Sequence, residues 1–172
     1  MQMTNPGCAL NDPYPALTDV AQDNDAALLV QQDYASALSE MTALAEYMYQ
    51  HSVLTATYPE IADTLECIAI TEMNHATLLA DAIRRLGGDP CYRVEQTTGD
   101  RWWNGADVDY GRLVKDALKR DIAAEQAAAA QYRYHADVAS QPQLSALLRR
   151  IALDEEYHAG VLRGLLRGLS ET

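Results

Sequence analysis

At 172 residues the chain has the length of one domain with a substantial core, and 48% of it is apolar, much of that Ala and Leu, with no Phe. This composition favours close-packed helices over a sheet, whose strands would draw on β-branched and aromatic residues. A formal net charge of −12 argues against nucleic acid or an anionic membrane as a partner.

Residues 1–24 are polar, carry Pro6, Pro13 and Pro15, and read as an irregular, partly mobile arm. Asp23, Asn24 and Asp25 offer N-caps for a first helix over about 25–53, with Ala37, Glu40, Ala43, Leu44 and Tyr47 on its inward stripe. After a turn at 55–58, Pro59 opens a second helix that Gly87-Gly88 stops; its stripe reads Ile61, Leu65, Ile68, Glu72, His75, Leu79 and Ile83. Residues 89–109 lose helical periodicity and hold Pro90, Gly99, Gly105 and Trp102-Trp103. A loop this long needs a purpose, and a crossover running the length of a bundle supplies one, with the tryptophans packing it down. The third helix covers about 111–139, with Leu118, Glu125, Ala128, Ala129 and Tyr132 in register. Pro142 opens a fourth helix, to about 169, with Leu144, Leu148, Ile151, Glu155, His158, Leu162 and Leu165 inward. The expected fold is all-α: a four-helix bundle over 25–172, made of two antiparallel pairs joined by the long crossover.

Glu72 precedes His75 by three residues, and Glu155 precedes His158 likewise, so each pair shares one helix face. Glu40 lies 32 residues before Glu72, and Glu125 lies 30 before Glu155. Counted from the inter-helix turns, all four glutamates sit at one height and near mid-helix. One Glu from each of two helices and Glu-x-x-His from the other two is the ligand set of a carboxylate-bridged two-metal centre. Glu72 and Glu155 are expected to bridge, with Glu40 and His75 completing one subsite and Glu125 and His158 the other. Carboxylate and imidazole ligands suit iron or, alternatively, manganese, and zinc could also occupy the site.

Tyr47 and Tyr132 follow Glu40 and Glu125 by seven residues and can hydrogen-bond a ligand carboxylate; Asp154 can orient a ligating imidazole where the first half has Thr71. Glu46, Glu66 and Glu156 fall off the stripes and read as solvated, and His51 and His135 as surface or capping residues. Three cysteines, Cys8, Cys67 and Cys91, form no C-x-x-C pair; they read as thiols of a reducing compartment, Cys67 as a small apolar side chain. With no basic-then-apolar leader and no apolar run of about 18 residues, a cytoplasmic place without membrane contact is expected.

The segments Ser39-Glu40, Glu46-Tyr47, Thr71-Glu72-Met73-Asn74-His75, Ala124-Glu125, Tyr132 and Leu153-Asp154-Glu155-Glu156-Tyr157-His158 resemble the ferritin-like superfamily of dimetal-carboxylate proteins, which includes bacterioferritin, rubrerythrin and manganese catalase. The resemblance spans about 25–169 and implies redox chemistry with peroxide or dioxygen: peroxidase, ferroxidase or catalase-like activity, or iron storage. Ala128 stands where rubrerythrins add a glutamate, and the chain lacks their rubredoxin-like cysteine module, which implies a separate electron donor. Only 14 residues follow His158, too few for the fifth helix of cage ferritins, so a homodimer or small homo-oligomer is expected. Met73 occupies the haem-ligating position of bacterioferritin; an interface methionine is the simpler expectation.

Overall fold

A computed structural model describes residues 8–169. It contains α1 (Asn24–Ala35), α2 (Glu40–Leu54), α3 (Pro59–Arg85), β1 (Arg93–Val94), β2 (Arg101–Trp102), a 3-10 turn (Gly105–Asp107), α4 (Val114–Val138) and α5 (Pro142–Gly168). Short turns pair α2 with α3 and α4 with α5, giving the ferritin-like helical bundle. Asp23 caps α1 by accepting from the Ala26 amide, and Pro59 and Pro142 sit in first turns where no backbone donor is missed. Gly87, at φ +94°, ends α3 in a left-handed conformation that a side chain would strain.

The inward stripes build two apolar clusters. One gathers Val30, Leu79, Ile83, Leu144, Leu148 and Ile151, the other Tyr47, Leu65, Ile68, Leu118 and Leu162. Along α3 the boundary between them falls at Glu72–His75, and along α5 at Glu155–His158. A polar layer thus crosses the bundle at mid-height, sealed above and below by leucine and isoleucine.

The expected first helix is two helices. Residues 36–39 leave the helical path because local side chains compete for the backbone: Ser39 Oγ donates to the Ser36 carbonyl (2.7 Å), as does Thr42 Oγ1 (3.2 Å), and Ser36 Oγ donates to the Leu38 carbonyl (2.8 Å). Glu40 therefore opens α2 instead of lying mid-helix, and Ser39 is its N-cap. The third expected helix begins slightly later, at Val114. The crossover folds a short antiparallel hairpin, Arg93 opposite Trp102 and Val94 opposite Arg101. Trp103 packs it down and donates from Nε1 to Thr42 Oγ1 (2.9 Å), whereas Trp102 is 60% exposed.

The arm is irregular from residue 8 to α1 and is packed against the helices; the expectation for residues 1–7 lies outside the described residues. The thiol reading of the cysteines fails: Cys8 and Cys67 form a disulfide, and only Cys91 is free. The cysteine argument for a reducing compartment goes with it. No described helix is long and apolar enough to cross a membrane.

Candidate metal centre

Glu40 from α2, Glu72 and His75 from α3, Glu125 from α4 and Glu155 and His158 from α5 meet in the polar layer, all buried. Their donor atoms fall into two sets of four, each within 4.8 Å of one another: Glu40, Glu72, His75 and Glu155, and Glu72, Glu125, Glu155 and His158. Glu72 and Glu155 belong to both sets, as bridging carboxylates must. Both imidazoles turn Nδ1 inward. His75 Nδ1 lies 3.1 Å from both Glu72 and Glu155 and 3.5 Å from Glu40, while His158 Nδ1 lies 2.9 Å from Glu72 and 3.6 Å from Glu125 and Glu155.

A pair of cations fits this cluster. Glu40 Oε2, Glu72 Oε1, Glu155 Oε1 and His158 Nδ1 are all buried without a hydrogen-bond partner. Glu72 Oε1 and His158 Nδ1 approach to 2.9 Å yet form no aligned hydrogen bond. Four orphaned lone-pair atoms in one buried layer would cost several kcal/mol unless something positive lay among them. Burial, then the Glu72 and Glu155 charges, push Glu40 well above the usual carboxylate range, and burial with the same two neighbours does so for Glu125. Despite burial, the His158 imidazole holds Glu72 well below that range, and the adjacent His158 and His75 imidazoles lower Glu155. Burial also opposes charging of the imidazoles, but Glu40 and Asp154 raise His75 well above its ordinary value, and Glu72 and Glu125 raise His158. Protons thus supply the positive charge that divalent ions would displace.

The surrounding hydrogen bonds cross between the halves. Tyr47 donates to Glu125 Oε1 and Tyr132 to Glu40 Oε1, so each tyrosine serves the outer carboxylate of the opposite half. Asp154 Oδ2 lies 3.1 Å from His75 Nε2 and accepts from Tyr14 OH (2.7 Å), and its Oδ1 accepts from the Leu10 amide (2.8 Å). Arg150 Nη1 lies 2.8 Å from Asp154 Oδ2, and its guanidinium stacks 4.7 Å over the Tyr14 ring. Burial opposes it, yet His75 and Arg150 hold the Asp154 carboxyl well below the usual range. Burial pushes the Tyr14 phenol up to about 12, so it stays a donor. The arm's part here was missed, since nothing in a Pro-rich polar stretch marks it as a partner of helix residues 140 positions away.

Three other expectations change. Glu46 is half-buried, accepts from the Asp109 amide (3.0 Å), and joins Asp121 and Gln50 in a buried polar group. His135 is buried, with Nδ1 2.8 Å from Asp33, and His51 is half-buried with Nδ1 3.0 Å from the Ala62 carbonyl. Glu66 and Glu156 are exposed as expected, Glu156 pairing with Arg133, and Met73 is 41% exposed. A cavity of about 140 Å³ opens on the centre through the 36–39 break, lined by Leu38, Glu40, Glu46, Asp121, Glu125 and Ala128 among others. In its wall, burial and the Glu46 charge lift Asp121 to about 8.

Among known proteins, a bacterioferritin of Desulfovibrio desulfuricans is 37% identical over 75 residues, which is 43% of this chain and 41% of that protein. The match thus spans about two fifths of that relative's length. Among solved structures, a manganese catalase from Anabaena superposes with a TM-score of 0.81 at 20% identity, covering 94% of this chain and 80% of that one. A Desulfovibrio desulfuricans bacterioferritin, described with its diiron site in different catalytic states, superposes at 0.71 and 25% identity, covering 86% and 81%. Residues 34–166 match the family model described as Rubrerythrin, and the chain belongs to the rubrerythrin family.

Proposed function

We propose that the protein is a dimetal oxidoreductase that takes peroxide or dioxygen into the cavity above the polar layer, with iron as its native metal. The observation that carries this reading is the pair of buried four-donor sets sharing Glu72 and Glu155 and opening on a single cavity. Glu40 and His75 would complete one subsite, and Glu125 and His158 the other. A bound metal pair supplies the electrons that reduce or disproportionate an O–O bond. The chain supplies the rest. Tyr47 and Tyr132 fix the outer carboxylates, Asp154 fixes the His75 ring, and the two leucine-rich clusters exclude water on either side. Asp121 keeps a proton at the cavity wall up to about pH 8, within reach of a small oxygen species entering there. Reducing equivalents would come from a separate donor.

Iron is favoured over manganese by a bacterioferritin 37% identical over 75 residues, whose kin is described with a diiron site. The same relative supports a second reading, an iron-storage subunit of a bacterioferritin-like assembly. Anaerobic loading with ferrous iron or manganese in turn, followed by elemental analysis and peroxide turnover, tests both. About two ions per chain are expected, with turnover requiring an added reductant for a peroxidase and none for a catalase. A shell-sized particle that accumulates many ferric ions per chain without turnover would favour storage, and a metal content near zero would end the dimetal reading.

A further inference from the structure

The two inward-facing imidazoles need a partner at their outer nitrogen, and the halves provide it differently. His75 has Asp154. The corresponding residue of the first half is Thr71, whose hydroxyl donates to the Cys67 carbonyl of its own helix (3.4 Å). The partner of His158 is a backbone carbonyl of the arm: Nε2 lies 2.9 Å from the Cys8 carbonyl, whereas the arm's Tyr14 hydroxyl lies 3.1 Å from His75 Nε2 beside Asp154. A carbonyl only accepts, so a proton must sit on Nε2, and a ring that holds a metal through Nδ1 would present that lone pair to the carboxylate side. Cys8 is buried, and its sulfur is bonded to Cys67, five residues before Glu72 on α3.

Residues 10–14 are held in another way. Leu10 donates to Asp154, Arg150 donates from Nη2 to the Leu10 carbonyl (2.8 Å) and from Nε to the Asp12 carbonyl (3.0 Å), and Tyr14 donates to Asp154. Opening the disulfide therefore removes the covalent tie at residue 8 and leaves the contacts of residues 10–14 in place.

Resting on the dimetal reading, we propose that the Cys8–Cys67 disulfide positions His158, so that its reduction loosens the metal ion on the His158 side while the ion on the His75 side stays. The step is a two-electron exchange. A dithiol gives up two electrons and two protons and becomes a disulfide, the Cys8–Cys67 bond breaks, and both sulfurs end as thiols. Metal retention thereby becomes a function of the thiol redox state around the protein.

The test loads the oxidised full chain with iron, treats half with dithiothreitol, and follows metal release to a chelator together with the Mössbauer spectrum. The double variant Cys8→Ser/Cys67→Ser, with and without dithiothreitol, separates bridge opening from chelation by the reductant. Reduced protein and double variant are expected to release one ion of the pair about 10–100-fold faster than oxidised protein. The coupled diiron signal should give way to a mononuclear one, and reoxidation should restore retention in the wild type. Equal release rates for oxidised and reduced protein would overturn the proposal. So would loss of both ions together with the helical circular dichroism, which would make the bridge a general staple. Oxidised protein that loads no metal would instead sink the dimetal reading, a result visible before any reductant is added.

Discussion

The two halves of the bundle offer the same three ligand types at the same spacing, yet they hold their imidazoles by different chemistry. On the His75 side the outer nitrogen meets an anionic carboxylate that is itself anchored by Arg150, Tyr14 and the Leu10 amide. On the His158 side it meets one neutral carbonyl, carried by a strap whose position depends on a disulfide. A carboxylate partner makes an imidazole a stronger donor to a metal than an amide partner does. A cage with near-twofold ligand symmetry can therefore present two unequal subsites without any change in the ligands themselves.

Three substitutions probe this inequality. The largest effect is expected from Glu72→Ala, because Glu72 reaches both imidazoles. It should take metal content from about two ions per chain to near zero and abolish turnover with it; elemental analysis of reconstituted protein reads this directly, and a variant that still holds both ions would remove Glu72 as the bridge. Next is Asp154→Asn, which should weaken binding on the His75 side about 10–100-fold and leave the His158 side nearly unchanged. Competition titration resolves the two steps, and equal weakening of both would erase the distinction between the halves.

The smallest effect concerns stability. The Asp121 carboxyl is raised in the fold from 3.8 to about 8. Below about pH 4 both folded and unfolded chains are protonated there, and the group contributes nothing. Between about 4 and 8 the unfolded chain releases its proton while the folded chain keeps it, so this group lowers stability as pH rises; above 8 the loss is constant. Asp121→Asn keeps the acceptor for Gln50 and removes the loss. Metal-free Asp121→Asn should melt clearly above wild type at pH 8, with the difference vanishing near pH 4. A melting difference independent of pH would mean that Asp121 ionises freely at the cavity wall.

How much of this was written in the chain depends on the range of the contact. Glu40, Glu72, Glu125 and Glu155 could be found because each stands on an apolar stripe where a lone carboxylate is costly, and the Glu-x-x-His spacing needs only the pitch of a helix. Tyr47 and Tyr132 could be found by the same pitch, but not that each serves the opposite half. The 36–39 break escaped because Ser-Ala-Leu-Ser reads as acceptable helix; hydroxyls capturing the Ser36 carbonyl decide otherwise. Ala37, Leu38 and Ser39 of that break line the cavity beside the centre. His135 read as a surface residue because its partner Asp33 lies 102 positions away.

The sequence by itself determined the helices, their pairing, and six donors at one height, because helical periodicity and turn chemistry act over a few residues. Tertiary structure alone decided which outer nitrogen received an aspartate and which a backbone carbonyl. It alone matched Cys8 with Cys67 across 59 residues and turned a Pro-rich arm into the outer wall of the centre. Those contacts join segments with no common period, so they exist only once the packed bundle has brought their surfaces together.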